Sequence, residues 1–120
     1  MFSFNSVRNG KVIENTCSIE QKTRLLLVEQ KSPNEEWPSY IRMTLQQIEA
    51  LKRIMFTGRF GSNTIPVNTF YYENGTFTLV CRQENQVIKL NAEEMGNVFH
   101  YAEIHRQRIA KFDAQFRSRR

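Results

Sequence analysis

A chain of 120 residues, 40 per cent of them apolar, suits one domain with a real core, and nothing in that composition points to disorder. The 17 Lys and Arg against 12 Asp and Glu leave a net charge of +5, which excludes an acidic solvating chain without by itself making a nucleic-acid binder. Residues 1–99 hold only +1 of this and residues 100–120 hold +4, so the excess belongs to the C-terminal end.

In chain order, Phe2 to Val7 and Lys11 to Asn15 read as strands around the hairpin signal Arg8-Asn9-Gly10. Lys22 to Gln30 reads as a third strand, with Leu25 and Leu27 as its core pair. The polar loop Lys31 to Pro38 leads to a fourth, Tyr40 to Met43. Thr44 then stands three residues before Gln47, the capping-box spacing, and opens a helix from Leu45 to Phe56. Gly58 to Asn63 reads as a linker that holds either one more strand or only a loop. Thr69 to Tyr72 and Thr76 to Arg82 flank Glu73-Asn74-Gly75, and a short turn at Glu84-Asn85 leads to Gln86 to Leu90. Asn91 and Glu94 repeat the capping box and open a second helix at Ala92.

The block Ile41 to Leu51 and the block Ile88 to Val98 match at a constant offset of 47 residues: apolar-basic-apolar, a cap, then apolar residues at helical spacing. The expected fold is therefore α+β. It holds two repeated antiparallel sheet-then-helix units, ββββα-βββα, over 1–57 and 64–120, with 58–63 between them. Met95, Val98, Ala102, His105, Ile109, Phe112 and Phe116 continue at alternating spacings of 3 and 4, an a/d seam that predicts a long C-terminal helix. Its first half is expected to cover its own sheet. Its second half, with His105, Ile109, Phe112 and Phe116, needs a cover, either a second copy or partner protein, or the same chain.

Catalysis finds little support. His100 and His105 are five apart and do not share a helical face, Asp113 is the only aspartate, and Gly58-Arg59-Phe60-Gly61 is no phosphate loop. No metal set, cofactor or catalytic group is expected. Cys17 and Cys81 read as free buried thiols. The longest aliphatic run, Leu25 to Val28, is too short for a membrane, and the N-terminal residues lack a signal-peptide pattern, so the expected location is intracellular.

The paired junctions resemble the Whirly-type single-stranded-DNA-binding superfamily, which includes positive cofactor four, the plant Whirly proteins and the Pur-alpha repeat proteins. The residues that carry the resemblance are Ile41, Met43, Gln46, Gln47, Ile48 and Leu51, and then Ile88, Leu90, Glu93, Glu94, Met95 and Val98. The aromatic residue that the family often has at the first buried helix position is absent from both. The resemblance implies helices set between splayed sheets whose exposed faces bind single strands with little sequence preference. It implies a role in replication, transcription or genome maintenance, and nucleus or nucleoid as the place if the target is DNA.

A sheet that binds a single strand needs Lys or Arg along the phosphates and flat side chains for stacking. Strand alternation puts Lys22, Arg24, Tyr40, Arg42, Arg82 and Lys89 on the outer faces, with no acidic member. Trp37 in its Pro-flanked loop either stacks on a base or caps the core edge. Arg59 with Phe60 is either a basic-aromatic finger or ordinary linker. Tyr71 and Tyr72 point to opposite faces, so at most one offers a platform. The tail Arg117-Ser118-Arg119-Arg120 adds phosphate contacts without sequence information, or merely complements a helix end. The alternative function is an assembly module in which the C-terminal helix dimerises or docks a partner protein.

Overall fold

The computed structural model describes residues 1–111. Two hairpins set the strand pattern. Asn9-Gly10 and Asn74-Gly75 take positive φ at both central residues, 52° and 77° in each pair. That is the turn geometry that matches strand twist, and Asn-Gly tolerates it best. Around the first turn lie β1 (Phe2–Arg8) and β2 (Lys11–Ile19), and around the second β6 (Thr69–Glu73) and β7 (Thr76–Cys81). With β3 (Leu26–Lys31) and β4 (Ser39–Met43), the first pair makes a four-stranded antiparallel sheet in the order β1-β2-β3-β4. With β5 (Arg59–Gly61) and β8 (Gln86–Asn91), the second pair makes another in the order β5-β6-β7-β8.

Each sheet is followed by a helix of 13 residues, α1 (Leu45–Thr57) and α2 (Ala92–Ile104), and the 47-residue offset holds at both of their ends. Both capping boxes form. Thr44 accepts from the Gln47 N–H while the Gln47 side chain accepts from the Thr44 N–H. Asn91 and Glu94 do the same, at 2.8 and 2.9 Å. Gly58 closes α1 at φ 78°, a left-handed cap that a side chain would strain. Thr44 is wholly buried, so Thr44→Ala leaves an orphaned donor. It is expected to cost about 1–2 kcal/mol in a urea-unfolding experiment, and Thr44→Ser to recover most of that.

The helices do not each cover their own sheet. α1 packs on β5 and β6 of the second sheet and touches α2, while α2 packs on β7, β8 and also β1. The two halves are interleaved, and β4 runs beside β8 where the sheets meet. A single cluster holds Leu26, Val28, Ile41 and Met43 from the first sheet with Phe70, Phe77, Leu79, Ile88 and Leu90 from the second. Ile48, Leu51 and Ile54 of α1 and Met95, Val98 and Ala102 of α2 belong to the same cluster. Each of these side chains larger than Ala102 contributes roughly 1.5–3 kcal/mol by leaving water.

Three expectations change. The linker 58–63 contains β5, so the order is ββββα-ββββα and the second sheet starts ahead of residue 64. The third strand starts at Leu26 rather than Lys22. Arg24 sits at φ 60° in a turn closed by backbone bonds between Glu20 and Leu25 and between Arg24 and Glu20. That turn shifts the alternation by one residue: Leu26 and Val28 face the core and Leu27 faces out. Leu25 is buried ahead of the strand.

The last helix stops at Ile104 instead of running along the seam. His105 is its C-cap, Arg106–Arg108 form one 3-10 turn, and Ile109 is extended. The reason is the docking of the next two residues on the same chain. Ile109 is 3 % exposed, and Ala110 donates to the Arg24 carbonyl while accepting from the Leu45 N–H, both at 2.8 Å. Ile109 is thus a core residue of its own chain and not an assembly residue. His105 packs against Tyr101 with ring centroids 4.5 Å apart. Phe112, Phe116 and the terminal arginines lie outside the described residues.

Candidate nucleic-acid interface

The eight residues expected to contact nucleic acid do not form one surface. On the first sheet, Tyr40 and Arg42 do face outward on β4, with the Arg42 guanidinium 4.8 Å over the Tyr40 ring. Arg42 is not free, however. Its Nε lies 2.8 Å from Glu20 and its Nη1 3.0 Å from Glu84. Burial works against its charge, and the hydrogen bond and field of Glu20, with Glu84, outweigh this and raise its pKa above the ordinary range. One cation answered by two carboxylates offers little to a phosphate.

Lys22 is exposed in the turn before β3 rather than on a strand. Arg24 donates to the carbonyls of Arg108 at 3.0 Å and Gln107 at 3.2 Å, so it clamps the C-terminal segment. Glu14 and Glu29 stand on the same outer face, on β2 and β3, so the expectation of an outer set without acids is wrong for this sheet. Trp37 is 75 % exposed and caps no core edge. Arg82 is exposed in the turn that follows β7.

The second sheet is different. Register pairs Arg59 with Tyr71, Tyr71 with Thr78, and Thr78 with Lys89. These four residues are one straight row across β5, β6, β7 and β8, about 14 Å long at the usual strand spacing. All point away from the core, because Phe60, Phe70, Phe77 and Leu79, and Ile88 and Leu90 alternate with them inward. Arg59 and Lys89 are exposed, and the Arg59 guanidinium lies 5.6 Å over the Tyr71 ring. The adjacent rows on this face are Gly61, Thr69, Val80 and Val87 on one side, and Glu73, Thr76 and Asn91 on the other. Tyr72 turns inward, 4.7 Å from Phe77.

The face thus sets a cation at each end of a row, with an aromatic ring and a hydroxyl between them. An aromatic face takes a base, and the cations take phosphates on either side of it. Of the two tyrosines weighed as a platform, Tyr71 is the one on this face, and Thr78 is not among the expected contacts. The missing signal is β5: once Arg59-Phe60-Gly61 is read as exposed, half-buried, exposed, Arg59 moves from a linker to a sheet face beside Tyr71.

Polar groups elsewhere serve the joint between the halves. Arg8 reaches Glu94 with both terminal nitrogens, at 2.6 and 2.8 Å, and its hydrogen bond lowers the Glu94 carboxyl to about 2 against the cost of burial. Gln47, the counterpart of Glu94, accepts from Asn68 at 2.9 Å and donates to the Pro66 carbonyl at 2.7 Å. Cys17 and Cys81 are free and buried, and burial alone pushes the Cys17 thiol up to about 12. Among the described residues, no three His, Cys, Asp or Glu side chains are placed to hold a metal, and no helix is long and apolar enough to cross a membrane. A scan against protein-family models and searches of curated proteins and of solved structures returned no match.

Proposed function

We propose that this chain is a non-enzymatic binder of single-stranded nucleic acid, DNA in the first instance, that works on the outer face of its second sheet with little sequence preference. The observation that carries the reading is the row Arg59, Tyr71, Thr78 and Lys89. Tyr71 stacks on one base. Arg59 steadies that ring and meets the phosphate on one side, Lys89 meets the phosphate on the other, and Thr78 donates to a sugar or phosphate oxygen between them. No group on the row reads a base edge in a fixed frame, which suits a sequence-tolerant protein of replication, transcription or genome maintenance. A Whirly-type relationship fits the same picture through the two sheet-then-helix units, and a DNA target would place the protein in the nucleus or nucleoid.

The test is fluorescence anisotropy with a labelled single strand of about 15 nucleotides, a length on the scale of known single-strand sites. Arg59→Glu with Lys89→Glu is expected to weaken binding by more than tenfold and to lower the salt slope by about 2. Tyr71→Ala is expected to cost about 1–3 kcal/mol with the salt slope unchanged, because stacking releases no counterion. Parallel titrations with RNA and with duplex DNA decide the class of strand. Unchanged affinity in the double variant removes the reading.

A further inference from the structure

The outer face of the first sheet is a second surface of opposite sign. Two open depressions adjoin on it, of about 440 and 270 Å³, and they share Glu14 and Lys31. Pro33 walls one and Pro38 the other, so the loop between β3 and β4 is their common rim. That loop carries Trp37, 75 % exposed, with Glu35 and Glu36 exposed beside it. Glu29 adds to Glu14 on the floor. Two carboxylates and Lys31 therefore line the floor, and the rim loop adds the two exposed carboxylates, in a chain whose net charge is +5. An indole left in water, on a rim held by prolines beside a concave acidic floor, is the anatomy of an anchor without its partner.

We propose that this face docks a basic, extended segment of a partner protein. Its cations lie over Glu14 and Glu29, and the Trp37 ring closes over an aliphatic stem or guanidinium. The charge selects this occupant. A phosphate chain is repelled here and drawn to the Arg59–Lys89 row, so the two sheets take different partners. The inference rests on the first sheet alone and stands or falls independently of nucleic-acid binding.

Trp37 is the chain's only tryptophan and reports on its own site. The probe is a synthetic peptide of about ten residues alternating Lys and Val, long enough to cross the face when extended. A Glu-Val peptide is the control. The Lys-Val peptide is expected to change Trp37 emission saturably, and the Glu-Val peptide and a single-stranded oligonucleotide to leave it unchanged. A fluorescein-labelled version, read by anisotropy, is expected to bind about tenfold more weakly to Glu14→Lys with Glu29→Lys, and to Trp37→Ala. Glu93→Lys with Glu103→Lys makes the same change of charge on α2, and affinity there is expected to stay within about twofold because solvent screens it.

Circular dichroism verifies folding, and Glu14→Gln with Glu29→Gln replaces the reversal if that variant unfolds. Equal weakening by both charge reversals means attraction by net charge only and overturns the proposal. Silent Trp37 emission at saturating peptide overturns it as well. So does self-association in sedimentation that the Glu14→Lys, Glu29→Lys variant abolishes, since the occupant is then a second copy.

Discussion

Glu94→Ala is expected to lower the unfolding free energy by about 2–3 kcal/mol, a large part of the 5–15 kcal/mol that holds a domain of this size. Glu94 has two tasks. It completes the capping box of α2 by accepting from the Asn91 N–H, and it holds Arg8 at the end of β1. Alanine removes both and leaves the Arg8 guanidinium half-buried without its carboxylate, which is why the loss exceeds that of an exposed pair.

The same contact makes stability depend on pH. The folded carboxyl titrates near 2, well below its ordinary 4.5. A lowered folded pKa means that the unfolded chain takes up the proton first as pH falls. The stabilisation is therefore complete above about pH 5.5 and drains away between there and pH 2. Urea midpoints measured from pH 7 to pH 2 are expected to fall through that window. In Glu94→Gln the fall is expected to be shallower, from a lower start. Parallel acid limbs in the two proteins would show that the Arg8–Glu94 pair carries no such role.

What the sequence made legible was local. Asn9-Gly10 and Asn74-Gly75 announce their hairpins because the backbone angles of the turn admit few other residues. Thr44 and Asn91 announce the helix starts because a cap and its partner sit three residues apart. What could not be read depended on residues far along the chain. β5 is three residues long and is a strand only because β6 lies beside it. The outer face of the first sheet is hidden by one residue, Arg24, whose left-handed turn moves every later side chain of β3 to the other face. The site suffered accordingly. Arg59 and Lys89 stand 30 residues apart in sequence, and only the register joins them through Tyr71 and Thr78. Arg42 looked available because Glu20 and Glu84, the carboxylates that hold it, are distant in sequence.

The second large effect is expected at Ile109, where two readings of one residue give opposite experiments. A heptad seam puts Ile109 at a contact between chains, and its loss then weakens assembly. The structure puts it 3 % exposed in the chain's own core, with Ala110 bridging Arg24 and Leu45 directly after it. Ile109→Ala is then expected to cost about 3 kcal/mol, the usual range for emptying a buried Ile site. That corresponds to a fall in Tm of roughly 10 °C for a domain of this length.

The loss must not depend on protein concentration, because nothing dissociates when a chain unfolds its own core. Stability held by association would rise with concentration instead. Ile104→Ala is the internal standard: Ile104 is 63 % exposed at the end of α2, and its truncation is expected to change stability by less than about 0.5 kcal/mol. Ala110→Pro removes the donor to the Arg24 carbonyl and is expected to fall between the two. A Tm for Ile109→Ala that climbs toward wild type as concentration rises would return Ile109 to an interface between chains.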